Sequence, residues 1–119
     1  MDNMFKGCKS LLSLDLSSFD TNEMVNSNSA FEGCSSLSSI KMDNFDTSQT
    51  TTFMSMFKSC SSLTSLYLPK FNTQKAWEKG LSSIFEGCNG LKISIYSNKC
   101  PNLISILPQN IELIDLGNY

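Results

Sequence analysis

The sequence predicts an α/β solenoid: stacked repeats, each supplying one strand to a parallel β-sheet and a short helix or irregular turn to the opposite face. Three observations carry that expectation. The phrase FKGCKSLLSLDLSSFDT, from Phe5, recurs as FEGCSSLSSIKMDNFDT from Phe31 and FKSCSSLTSLYLPKFNT from Phe57, with a looser copy, FEGCNGLKISIY, from Phe85. The steps between these copies are 26, 26 and 28 residues. Inside each copy the apolar residues change period, from helix-like to strand-like spacing. No single copy is long enough to bury its own apolar face, so neighbours must stack to make a core.

Taken in order, each copy opens on apolar residues at i, i+3 and i+4: Met1, Met4, Phe5, then Phe53, Met56, Phe57, then Leu81, Ile84, Phe85. That is one stripe of a short helix. The second copy offers only Ser27, Ala30 and Phe31, a thinner stripe. Gly7, Gly33 and Gly87 follow two residues after the Phe, where a left-handed cap suits glycine, and Ser59 holds that slot less comfortably. The strand follows as L-x-x-L-x-L: Leu11, Leu14, Leu16, then Leu37, Ile40, Met42, then Leu63, Leu66, Leu68. Leu91, Ile93 and Ile95 keep the alternation with one residue deleted. A final copy reads Ile111, Ile114, Leu116, its strand 21 residues on, counting Ile93 to Ile114. The whole is one repeat domain, 1–119, divided as 1–26, 27–52, 53–80, 81–100 and 101–119. The absence of capping patterns points to a fragment of a longer array and to end-to-end self-association through exposed strand edges.

Composition excludes several functions. The formal charge is −2 and there is no Arg, which leaves no case for nucleic acid. There is no His, so the commonest general base and zinc ligand are missing. No G-x-S-x-G elbow or phosphate loop occurs, and the carboxylates are scattered. An enzyme is not expected, nor a cofactor. No apolar run is long enough to insert in a membrane, and no signal peptide is visible at the start. Cys8, Cys34, Cys60 and Cys88 share one slot, with Cys100 extra. Their spacing is wrong for a metal, so they read as a ladder of buried thiols, with a disulfide involving Cys100 as the alternative. Asp20 and Asp46 of the FDT triplets, stacked, suggest calcium. The third triplet carries Asn72 instead, and capping of the local backbone explains an Asp there better.

What remains is surface. With Leu14 and Leu16 pointing inward, the outward columns are Ser13, Ser39, Ser65, Lys92, then Asp15, Lys41, Tyr67, Ser94, then Ser17, Asp43, Pro69, Tyr96. Asp15, Lys41, Tyr67, Lys92, Ser94 and Tyr96 are the candidate partner-binding residues, with Tyr67 and Tyr96 as anchors, since exposed Tyr is favoured at binding hot spots. Asp15 and Lys41 are placed to pair across strands. The plainer reading makes these ordinary solvated positions that keep sheets apart. Trp77 is expected to pack the irregular connector rather than bind.

The phrase F-x-G-C-x-S-L-x-S-L-x-L-x-x-F-D-T resembles the 26-residue repeat of BspA-like leucine-rich-repeat surface proteins, found in bacterial surface proteins and mycoplasma-type lipoproteins. The likeness is close from Met1 to about Thr73 and loose from Leu81 to Tyr96. The tail LPQNIELIDLGNY resembles the shorter LP-containing repeats of the FNIP type. The resemblance implies a right-handed leucine-rich-repeat solenoid with its parallel sheet on the concave face. It implies adhesion or protein binding at the cell surface or after secretion, the partner being a host or neighbouring surface protein, with a glycan as the other ligand. Lys75, Ala76 and Trp77 depart from the pattern, interrupting the third connector. Two rivals stand beside this reading. One is a structural spacer without a ligand. The other is an intracellular adaptor, whose reducing surroundings would suit five free thiols.

Overall fold

In each repeat an alternating apolar segment becomes a very short strand with its central side chain turned inward. These are β1 (Ser13–Asp15), β2 (Ser39–Lys41), β3 (Ser65–Tyr67), β4 (Lys92–Ile95) and β5 (Glu112–Asp115). The computed structural model describes residues 1–118, so Tyr119 lies outside the described residues. Among the described residues all strand pairs are parallel, and helix is confined to a single 3₁₀ turn at Ser97–Lys99 and to α1 (Pro101–Ile104). The chain is therefore a mixed α/β fold with parallel sheets and little helix. Pro101 starts α1 where its missing N–H costs nothing.

The pairing register reproduces the repeat. Asp15 lies opposite Lys41, and Tyr67 opposite Ser94. Two expectations need correction. The strands do not form one sheet: β1 pairs with β2, and β3–β4–β5 form a second sheet. Three-residue strands offer so few ladder bonds that other contacts hold these layers together. The last strand is also shifted by one residue, with Leu113, not Ile114, opposite Ile93. It continues the plain alternation of the fourth copy, so Ile111 and Leu113 turn inward and Ile114 faces out.

Of the short helix or irregular turn expected at the head of each copy, the structure has the turn, and the i, i+3, i+4 stripes are not helices. Asn3, Ser29, Ser55 and Ser83 all have positive φ, between 56° and 58°. Two residues before Phe5, Phe31, Phe57 and Phe85 the chain therefore turns left-handed, which an α-helix does not permit. Every second N–H bonds to the next layer instead. Ser27, Ser29, Phe31 and Gly33 donate to the carbonyls of Thr52, Met54, Met56 and Lys58. Intervening N–H groups close four-residue turns, as Cys34 does on Phe31. The result is a second inter-layer ladder on the wall opposite the strands, running through the first four copies. The i, i+3, i+4 pattern arises here because these turns too bring every third or fourth residue inward.

Between strands and wall lies the core. Phe5, Phe31, Phe57 and Phe85 stack with ring centroids 5.6, 5.3 and 5.8 Å apart and nearly parallel planes. Leu37, Leu63, Leu91, Phe45 and Phe71 are among the residues packed around them. The buried FDT threonines stitch adjacent layers. The Thr47 hydroxyl donates to the Asn72 carbonyl (2.8 Å) and accepts from the Asn72 N–H (2.7 Å). Thr21 makes the same pair of bonds to Asp46, and Thr73 bonds the Asn102 side chain on α1. Gly80 sits where the long third connector crosses Thr51, and a Cβ there would lie 2.7 Å from the Thr51 carbonyl. The two extra residues of that connector therefore depend on a glycine for their passage.

Candidate recognition face

The strands place all six candidate residues on one face, outside the core. Asp15 and Lys41 end β1 and β2, and Tyr67 ends β3 with 51% of its surface exposed. Lys92 is exposed at the start of β4, Ser94 is half-buried in its middle, and Tyr96 is half-buried just beyond its end. Register joins Tyr67, Ser94 and Ile114 into one column. Asp15 and Lys41 form the corresponding pair on the other sheet. Ile114, 42% exposed, and Glu112 belong to this face but were not among the expected residues. The one-residue shift of β5 hid them, and the only available sequence signal was the alternation Ile111, Leu113.

Electrostatics on the face is local. Asp15 does not form the expected ion pair with Lys41; its carboxylate accepts from the Ser17 hydroxyl (2.6 Å) and the Ser17 N–H (2.9 Å). Those bonds, hydroxyl first, hold the Asp15 carboxyl below the ordinary carboxylate range, and Lys41 adds the weakest pull. A side-chain bond within reach of the same turn wins over a long lysine that must give up rotamer freedom. The cross-strand ion pair that does form is Lys92–Glu112 at 4.0 Å, so Lys92 is engaged. The face thus runs from a self-capped carboxylate through Lys41 and Tyr67 to the apolar Ile114. That arrangement suits non-covalent contact.

The other candidate chemistries resolve into architecture. Cys34, Cys60 and Cys88 are buried, and each thiol donates to the Phe carbonyl one layer back, at 3.1, 3.0 and 3.0 Å. Cys100 donates to the Phe71 carbonyl at 3.3 Å and is free, not disulfide-bonded. Burial pushes the Cys60 thiol up to about 12 and those of Cys88 and Cys100 to about 11. They are poor nucleophiles and poor metal ligands near neutrality. Cys8, in the same slot of the first copy, is exposed. Asp46 caps the Ser48 N–H at 2.8 Å, and Asn72 caps Gln74 in the same way. Trp77 does not pack its connector: its side chain is 64% exposed while its backbone bonds to Thr51 and Gly80. The connector is held by main-chain bonds, and most of the indole lies in water. No helix among the described residues is long and apolar enough to cross a membrane.

No curated protein and no solved structure matches the chain. One family model does, across residues 1–106, and with most of the chain covered the protein belongs to that family, described as Mycoplasma protein of unknown function, DUF285.

Proposed function

We propose that the chain is a right-handed leucine-rich-repeat solenoid of the BspA-like kind, and that it serves as a non-enzymatic scaffold binding a partner protein through its strand face. The observation that carries this is the outward column on that face. The core beneath repeats nearly the same residues in each layer, whereas the column changes from Asp15 and Lys41 to Tyr67, Ser94 and Ile114. A spacer has no need of such variety, and Tyr67 and Ile114 leave large apolar surface in water. The bonds between equivalent positions on both walls support the solenoid reading. A Mycoplasma-type family fits a resemblance that takes in mycoplasma-type lipoproteins, and so supports a cell-surface setting. The intracellular adaptor is the second reading, favoured by five free thiols, four of them buried.

The test is capture from surface extracts by the natural chain beside a Lys41→Ala, Tyr67→Ala, Tyr96→Ala variant. Truncating a hot-spot aromatic costs about 2 kcal/mol or more, so the variant should lose at least tenfold in affinity while melting like the parent. Equal capture by both would remove the strand face from consideration. Capture by neither would favour the spacer.

A further inference from the structure

Among the described residues the strand face is split at one junction only, between β2 and β3. At the first junction the Leu16 N–H donates to the Lys41 carbonyl, and the Ser38 N–H to the Leu12 carbonyl. At the third the Leu68 N–H donates to the Ser94 carbonyl, and the Lys92 N–H to the Thr64 carbonyl. The matching bonds of the second junction would join Met42 to Tyr67 and Thr64 to Ser38. Neither forms, and among the described residues no backbone bond joins β2 to β3, although the two strands lie side by side. Leu16, Met42 and Leu68 are equally buried, so the difference is one of hydrogen bonding and not of exposure.

On the opposite wall and through the core the same junction is closed. The wall carries four bonds from Ser27, Ser29, Phe31 and Gly33 to the next layer. Phe31 stacks on Phe57, the Cys60 thiol reaches the Phe31 carbonyl, and Thr47 clasps Asn72. A junction tied along one wall and loose along the other has one easy motion, rotation about the tied side.

We propose that the β2–β3 junction is a hinge, about which the β1–β2 and β3–β4–β5 sheets open and close as two blocks, widening and narrowing the strand face between Lys41 and Tyr67. Its use in gripping a partner rests on the function proposed above, but the motion does not, and it is tested without any partner. Two measurements decide it. The first is amide exchange at matched positions. Met42 and Thr64 should exchange roughly tenfold or more faster than Leu16 and Leu68, and than Ser38 and Lys92, respectively. The second is the distance distribution between nitroxide labels on Ser39→Cys and Ser65→Cys, in a Cys8→Ser background, beside a Ser13→Cys, Ser39→Cys control. A hinge gives the first pair a distribution at least about twice as broad as the control. Met42 protected as well as Leu16 and Leu68 would overturn the hinge. So would fast exchange with a distribution as narrow as the control, since that describes a fixed gap.

Discussion

Ser59 stands in the slot that Gly7, Gly33 and Gly87 occupy, and like them it has positive φ, at 63°. A left-handed L-residue costs roughly 1–2 kcal/mol, part of which glycine gives back through the entropy of the unfolded chain. Ser59→Gly should therefore raise stability by about 0.5–1 kcal/mol, read as a higher melting temperature. Gly87→Ser should lower it, because its new Cβ would also sit 3.2 Å from the Ser59 Cα. The glycine slot was legible because glycine alone favours that conformation. Ser29, Ser55 and Ser83 gave no comparable warning of theirs. The thiols make a second residue-scale prediction. With their titration raised from an ordinary 9.0 to about 11 or 12 by burial, the fold favours the protonated thiol. Their contribution is fully present below pH 9 and is lost as pH rises through the folded values. The melting temperature should fall from pH 9 upward, less steeply in Cys60→Ser. At neutral pH a thiol reagent should modify Cys8 alone, with the other four reacting only on unfolding.

At the scale of elements, the layers are held by bonds that repeat every 25 or 26 residues. Thr47 shows what one of them contributes. Its hydroxyl satisfies both the N–H and the carbonyl of Asn72, so Thr47→Val would leave two partly buried backbone groups without partners. The expected loss is about 2–3 kcal/mol, measurable by denaturant unfolding; an unchanged midpoint would mean water replaces the hydroxyl. Strand positions were readable because a period of two has one structural meaning. The head of each copy was not, because its i, i+3, i+4 spacing fits both a helix and the bonded turns found here. Choosing between them required knowing that Phe5 and Gly7 donate to the next layer rather than within their own. The register of β5 was misread for a similar reason: Ile111, Leu113 and Ile114 offer two alternations, and pairing with Leu91 and Ile93 selects one.

For the whole molecule, β1 and β5 each pair on one edge only. Unpaired edges template association, so the 119-residue chain is expected to self-associate end to end as its concentration rises. Light scattering that reports a monomer throughout a concentration series would refute this. The candidate face was legible as far as alternation reaches: all six residues lie outside the core, on the strand side. Their partners were not, since Asp15 chose Ser17 over Lys41 and Lys92 found Glu112.

By itself the sequence determined the repeat length, the residues that turn inward on the first four strands, the glycine slot and the column of thiols. All of these follow from periodicity and local backbone preference, which a chain expresses without reference to its neighbours. The tertiary structure alone decided that the wall is a ladder of turns, that the strands split into two sheets, that β5 slips by one residue and that Trp77 faces water. Each of those depends on where a backbone N–H finds its acceptor one layer away, and that distance is set by the packing of every layer between the two walls.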